Sequence, residues 1–503
     1  MTIRSSTPTD GREESIIPVP QESVTALRTH AFLAIIAALG LRLLFVLRFP
    51  GSAGDSDLYL QLARNWADHH VYGFWNNGLS VPTDLRTPGY PAFLAGVALL
   101  LGRSIRAILL SQAALDVLTC ILTAALAAAL APAGKARRTS IIALWLAATC
   151  PFVANYSAVV LTETLVTFLS AAALCCFAMG LRQEPAQLRF RNAETRITPF
   201  GFAMLGALLT GLATLVRPEM PLLLGVAALV YALRGWRILG AGKALLWMAA
   251  MGGALLVPLL PWAARNLITL KKVQFVAPRY ANLPGEYAPV GYFAWTATWL
   301  ERYRDVYLSV WKIGEEPLSV DDLPPSAFDS PEERGRVADL ISEYNDSSDL
   351  DISPGMDAKF AQIARERTRR HPFRTYVQVP FERALAIWFT PRTELLNVDG
   401  KFWPLRQQWE DSHANVLVTG SFAALGYLYA VLAIAGVWMA CRSADSARAT
   451  GPPAASNLWG IGLLLAYLFI RTAFLTTVEA PEPRYVVSCY PAVLALVALL
   501  GMG

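Results

Sequence analysis

Charge is scarce in this chain. Only 16% of its 503 residues are Asp, Glu, Lys or Arg, against 54% hydrophobic, and the apolar residues gather in runs long enough for a helix to cross a roughly 30 Å hydrocarbon core. That scarcity argues against a soluble fold. The 43 basic and 38 acidic residues nearly balance, so the excess positive charge that a nucleic-acid partner needs is missing. Cysteine is sparse as well. Cys120, Cys150, Cys175, Cys176, Cys441 and Cys489 all lie in apolar segments and none forms a C-x-x-C pair, which points to packing and indicates neither a zinc site nor a disulfide framework. The long Leu- and Ala-rich runs lack period-two alternation, which removes a β-barrel. Helices remain, the other structure that satisfies every backbone amide in lipid. The expected fold is an all-α polytopic membrane protein.

Apolar runs predict ten spans, at 29–49, 106–131, 139–157, 163–181, 199–216, 219–235, 241–262, 414–441, 456–476 and 485–503. The polar residues before the first span, 1–28, suit a disordered cytoplasmic tail. The run from Ala31 to Phe49 is long for the core of a signal peptide, which favours an uncleaved first span. Pro88 to Gly102 is apolar but short and opens with Pro-Gly-Tyr-Pro, so it reads as a juxtamembrane helix. Charge placement then orients the chain, because short cytoplasmic loops are enriched in Lys and Arg. With the N-terminus inside, short inner loops carry Lys135, Arg137, Arg138, Arg182, Arg189, Arg191, Arg196, Arg234, Arg237, Lys243, Arg442 and Arg448. Short outer connections carry Arg217 and Arg484. Two long loops face outward, 50–105 and 263–413, dividing the chain into a membrane module over 29–262, an outer helical subdomain over 263–413 and C-terminal spans over 414–503. Within the subdomain, Ser330-Pro331-Glu332-Glu333 reads as a capping box with Pro at the first helical position. A second helix runs from about Met356 to Arg370, ending before Pro372. Tyr376 to Phe389 mixes aromatic and charged residues in a way that suits a membrane surface.

Chemistry concentrates at the outer ends of the spans. Gly54-Asp55-Ser56-Asp57-Leu58-Tyr59 places two carboxylates just after the first span, where they can deprotonate a hydroxyl, hold a divalent metal, or cap a helix. Asp84-Leu85-Arg86-Thr87-Pro88-Gly89-Tyr90-Pro91 sets a guanidinium beside a turn, suited either to a lipid phosphate or to snorkelling among headgroups. Thr162-Glu163 opens a span with a carboxylate, either partnered or favouring the helix dipole. Arg217-Pro218-Glu219, Pro261-Trp262-Ala263-Ala264-Arg265-Asn266 and Glu482-Pro483-Arg484-Tyr485 add three outer arginines. Isolated helix caps do not require this coincidence of depth. Arg42, which can snorkel outward, and His371, with no second His nearby, are assigned no role.

The ordered motifs, Gly-Asp-x-x-x-Tyr, Arg-x-Pro-Gly-Tyr-Pro, Thr-Glu, Arg-Pro-Glu, Pro-Trp-x-x-Arg-Asn and a late Arg-Tyr, resemble the GT-C glycosyltransferases. Within them the chain looks most like bacterial protein-mannosyltransferase-like enzymes and aminoarabinose transferases of lipid A. The resemblance runs from about residue 30 to the C-terminus and is strongest up to Asn266. It implies a polyprenyl-phosphate sugar as donor and an envelope glycan, lipid or protein as acceptor, joined at the outer face of the cytoplasmic membrane by inverting displacement. Asp55 then takes the place of the base, with Asp57 and Glu163 supporting it or coordinating a divalent metal with it, since members differ in metal use. Arg86 and Arg484 match basic positions for the lipid phosphate. Tyr59, Tyr90, Arg217, Arg265 and Tyr485 complete the substrate-binding set, with a structural role at the end of its span as the other reading of Arg265. A membrane transporter or flippase predicts mid-membrane charges and internal repeats, and no repeat is visible. A polymerase or ligase of lipid-linked glycans and a noncatalytic scaffold are the remaining alternatives.

Overall fold

The computed structural model describes residues 21–76, 79–182, 198–280, 287–396, 398–450 and 457–502. The expected basic residues Arg189, Arg191 and Arg196 lie outside them, as do residues 1–20 of the tail. Residues 21–28, read as tail, belong instead to the first helix, α1 (Gln21–Arg48). The remaining helices of the first half are α2 (Ser56–His69), α3 (Gly89–Leu101), α4 (Ile105–Leu130), α5 (Ala136–Thr149), α6 (Glu163–Arg182), α7 (Pro199–Thr214), α8 (Pro221–Leu239) and α9 (Ala241–Leu256). Between α2 and α3 the strands Gly73–Asn76 and Leu79–Pro82 pair as an antiparallel hairpin, with Phe74 opposite Val81.

Length and apolarity decide which helices can cross a bilayer. Seven segments pass, and the pair Ala136–Thr149 and Pro151–Ala158, bent by 52°, makes an eighth if taken as one span. The other two expected spans are the shorter apolar helices Pro199–Thr214 and Pro221–Trp236. At 1.5 Å per residue the former is only about 24 Å long. The chain is a multi-pass membrane protein of helical class. Burial separates its centre from its rim: the windows within Pro483–Met502 and Glu163–Arg182 are 89% and 78% buried, whereas that within His413–Asp445 is 11% buried. Small residues on α6, among them Ser170, Ala171, Ala173 and Ala178, are buried and let neighbouring helices approach closely.

Arg42 does not snorkel. It is fully buried, its Nε donates to Asp116 Oδ2 at 2.9 Å, and its remaining donors reach the Ala147 and Ala148 carbonyls and Cys120 Sγ. A guanidinium inside a membrane protein is tolerated when it is partnered in this way. The pair ties α1 to α4 and to the end of α5.

After α10 (Leu260–Leu270) the chain builds a separate apolar core from α11 (Val290–Thr296), α12 (Pro331–Asn345) and α13 (Pro354–Arg370), centred on Trp295, Trp299, Val337, Ile341, Phe360 and Ile363. Ser330 Oγ accepts from the Glu333 amide as the capping box requires. The return bond to Glu333 Oε1 comes from the Asp329 amide, one residue earlier than the motif places it. α13 ends at Arg370 and exposed His371 follows it. A π turn (Arg374–Gln378) then leads into α14 (Val379–Phe389), where Phe373, Tyr376, Phe381 and Leu385 form an exposed apolar stripe at helical spacing. The last helices are α15 (His413–Thr450), α16 (Leu458–Leu475) and α17 (Tyr490–Ala498), the last entered through a 3-10 turn (Pro483–Cys489).

Candidate active site

Two backbone contacts assemble the site. The Gly51 amide donates to the Ala158 carbonyl and Ser56 Oγ donates to the Val160 carbonyl, which lays the segment carrying Asp55 beside the one leading to Glu163. The turn after Arg86 docks on the end of α7: the Gly89 amide donates to the Leu215 carbonyl at 2.6 Å, and Thr87 Oγ1 bonds the Val216 carbonyl. A Cβ at Gly89 would meet the Leu215 oxygen at 2.5 Å, so this approach needs glycine. Arg86 and Arg217 reach one place through it.

Asp55 occupies the N-cap position of α2, yet its side chain makes no capping bond. Its Oδ1 instead accepts from Arg86 Nη2 at 2.8 Å, with the carboxylate 34% exposed. Simple capping therefore does not account for it. Tyr59, one turn on, is buried against Tyr90 in an edge-on contact. Burial, with Asp55 adding to it, pushes the Tyr59 hydroxyl up to about 12, so it stays a proton donor near neutrality.

Glu163, with a 2% exposed side chain, is the hub of a second network. Arg217 Nη2 donates to its Oε1 at 2.5 Å while Arg217 Nε donates to Thr162 Oγ1. Arg484 Nε lies 3.8 Å from the same oxygen and 2.5 Å from Glu482 Oε2. Tyr485 donates its hydroxyl to Glu482 Oε1 at 2.8 Å, and the Arg217 guanidinium lies 4.9 Å from the Tyr485 ring centre. Beyond Arg217, Glu219 Oε1 accepts from Arg471 Nη2 at 3.2 Å. Burial alone lowers the Arg217 guanidinium, and Glu163 and Glu219 more than offset it, holding the group above its ordinary value. Arg86 is held up by Asp55 against the same burial. Burial raises the Glu482 carboxyl despite the opposing effect of Arg484. Arg86, Arg217, Arg471 and Arg484 thus balance Asp55, Glu163, Glu219 and Glu482.

Over this network opens a cavity of about 1090 Å³, just above the roughly 300–1,000 Å³ usual for ligand sites. One end is polar, lined by Asp55, Arg86, Arg217, Glu219 and Arg484. The other is an apolar groove between α8 and α16, walled by Leu222, Val226, Leu229, Ile470 and Phe474. Leu229, Ile470 and Phe474 are part-exposed along the membrane-facing sides of their helices. Arg279 and Glu479, paired at 2.8 Å, close one rim.

The sequence matches no protein-family model and no curated protein. In structure the chain is similar to solved chains of an oligosaccharyltransferase and of ArnT, at low sequence identity. Over 96% of its length it overlays the oligosaccharyltransferase AglB of Archaeoglobus fulgidus, in complex with an inhibitory peptide and a dolichol-phosphate, at 11% identity and a TM-score of 0.48. It covers 50% of that chain. It also overlays ArnT of Cupriavidus metallidurans bound to undecaprenyl phosphate, at 14% identity and a TM-score of 0.36, covering 96% of this chain and 78% of that one. The chain spans about half the length of the oligosaccharyltransferase.

Of the residues singled out in the sequence, Asp55, Tyr59, Arg86, Arg217, Arg484 and Tyr485 line the cavity, and Glu163 stands directly behind it. Three lie elsewhere. Asp57 is exposed and outside the lining, because the first turn of α2 rotates it away from Asp55. Tyr90 is fully buried and donates to Gln112 Oε1 at 2.7 Å, holding α3 to α4. Arg265 donates to the Thr83 and Tyr72 carbonyls and packs over Trp262, pinning α10 to the open end of the hairpin. The proposed metal ligands do not fit a metal: Asp57 points away, Glu163 is engaged by two guanidinium groups, and no three His, Cys, Asp or Glu side chains converge among the described residues. Glu219, Arg471, Arg279 and Glu479 were not anticipated as site residues. Arg471 carried a signal, a lone guanidinium in an apolar run, which in a membrane protein marks a partnered or functional charge.

Proposed function

We propose that the protein is a membrane glycosyltransferase that moves a sugar from a polyprenyl-phosphate donor to an acceptor hydroxyl at the outer face of the cytoplasmic membrane. The observation that supports this most directly is the union, in one cavity, of a lipid-accessible groove with an arginine-lined polar end holding a partly exposed carboxylate. The isoprenoid chain lies between α8 and α16, and the phosphate meets Arg86, Arg217 and Arg484, whose forked donors suit phosphate oxygens. Asp55 takes the proton of the acceptor hydroxyl. As that oxygen bonds to the anomeric carbon, the bond from carbon to phosphate oxygen breaks and its electron pair leaves with the phosphate. One direct displacement inverts the configuration.

Charge bookkeeping favours the step in this site. The resting network is neutral, four guanidinium groups against four carboxylates. Transfer removes one negative charge from Asp55 and adds one to the departing phosphate, which lies among the arginines, so they stabilise the transition state more than the ground state. Arg86 links the halves: it pairs with Asp55, and a phosphate that attracts Arg86 leaves Asp55 freer to accept a proton.

The test is turnover of purified protein with a panel of polyprenyl-phosphate sugars and envelope acceptors. Wild type is expected to transfer sugar from at least one donor, and Asp55→Asn to lose about 10²- to 10⁴-fold while still binding donor. Unchanged turnover in that variant removes Asp55 as the base. No turnover with any donor, alongside lipid movement between leaflets, favours a transporter.

A further inference from the structure

Resting on the transferase reading above, we propose that Arg471 is a positioning residue for the donor: by holding Glu219, it keeps one N–H group of Arg217 open to the lipid phosphate. Arg471 is the one charged residue of α16 and is 1% exposed. It does not line the cavity, although Ile470 and Phe474, which flank it, wall the groove. Its effect on a ligand therefore passes through another group.

The groups it touches border the site. Nη2 donates to Glu219 Oε1 at 3.2 Å and to the Tyr485 carbonyl at 3.1 Å, and Nη1 lies 3.3 Å from Met220 Sδ. Nε has no hydrogen-bond partner among the described residues. A buried ion pair is often no more stable than apolar side chains of the same volume, and a buried donor without a partner adds a penalty. Stability alone gives no reason for a guanidinium at this position.

Arg217 supplies one. Its Nε donates to Thr162 and its Nη2 to Glu163, whereas Nη1 is paired with Glu219 Oε1 at 3.8 Å. That separation is too long for a hydrogen bond, so Nη1 is the donor that Arg217 has left for a phosphate oxygen. Glu219 Oε1 thus stands between two guanidinium groups and lies nearer to Arg471. Its side chain is 13% exposed and borders the cavity, where a carboxylate and an anionic phosphate repel each other. Arg471 offsets that charge from behind and draws the carboxylate back. Without it, a shift of about 1 Å brings Glu219 within hydrogen-bond reach of Nη1, and Glu219 then competes with the phosphate. The two residues share one turn, closed by the Met220 amide donating to the Arg217 carbonyl at 3.2 Å, so a side-chain rotation suffices.

The test is equilibrium binding of a polyprenyl phosphate without sugar to purified protein in nanodiscs, with sugar transfer measured in parallel and melting temperature used to identify folded variants. Arg471→Met should weaken binding at least tenfold, and Arg471→Lys, which keeps a charge for Glu219, by less than threefold. Glu219→Gln removes the competitor and should bind more tightly than wild type. The double variant Arg471→Met/Glu219→Gln should recover to within threefold of wild type, which a merely structural role for Arg471 does not predict. A folded double variant as weak as Arg471→Met overturns the proposal, because Arg471 then acts through the Tyr485 carbonyl or the cavity wall. Weaker binding by Glu219→Gln overturns it as well, as does wild-type affinity in a folded Arg471→Met. If Arg471→Met does not fold, the double variant decides alone: affinity within threefold of wild type upholds the proposal, and a tenfold loss overturns it. Asp55-dependent transfer by wild type keeps the transferase reading whichever of these results is found. No transfer from any donor, with no saturable binding of the lipid phosphate, overturns that reading and this role with it.

Discussion

At the scale of single residues, burial decides what each arginine is for. Glu163 is almost fully enclosed and Arg217 is its closest cation, so Arg217→Ala leaves a buried, poorly compensated charge, a loss of about 3–5 kcal/mol. A marked fall in melting temperature in detergent checks this. Arg86 is 26% exposed and its pair with Asp55 partly solvated, so Arg86→Ala should cost at most about 1 kcal/mol of stability. Its transfer rate should nonetheless fall about 10²- to 10³-fold. Equal melting losses for the two variants would contradict this division. The sequence indicated where charges gather because acidic and basic residues at span ends stand out against apolar runs. It did not resolve Asp55 from Asp57, since both lie within one helical turn and only the rotation of α2 separates them. Tyr90 and Arg265 sit in equally suggestive motifs, but their hydrogen bonds close on Gln112 and on the open end of the hairpin. Partners that distant are not readable from spacing.

At the scale of elements, the loop between the spans carries a titrating contact. Burial, followed by the neighbouring Glu382 on α14, raises the carboxyl of Glu301, which follows α11, from its ordinary 4.5 to about 7. The folded state therefore binds this proton more tightly than the unfolded chain. The stabilisation is fully present below about pH 4.5 and is lost as pH rises through about 7. Arg302 and Asp305 also act on Glu301, in opposite senses, and neighbouring Arg383 holds the Leu300 and Thr476 carbonyls. Hydrogen exchange at 300–306 and 379–389, corrected for intrinsic rate, should speed up between about pH 5 and about pH 8. Glu382→Gln should flatten that dependence, and a flat wild-type profile would contradict it. Elements were the most legible level: span-length apolar runs, the capping serine at 330 and the helix ending at Arg370 all follow from local rules. The bend at Cys150 and the two short helices, α7 and α8, read as full spans in the sequence because composition alone does not register a break or the exact length of a helix.

At the scale of the whole molecule, the groove is the feature that the sequence did not show. Its walls come from α8 and α16, far apart in the chain, and apart from Arg471 each reads alone as an apolar span. Only their packing leaves an apolar channel ending at Arg217 and Glu219. Gly225 lies on that channel, and a Cβ there meets nothing within 4 Å, so side chains of growing size should occlude it without disturbing the bundle. Equilibrium binding of a polyprenyl phosphate without sugar, to wild type and to folded Gly225→Ala, Gly225→Leu and Gly225→Trp, tests the central claim most directly. Saturable binding that is kept by Gly225→Ala and weakened at least tenfold by Gly225→Trp, about 1.4 kcal/mol, is the predicted result. Equal affinity across the series, or no saturable binding to wild type, would contradict a lipid phosphate seated between α8 and α16.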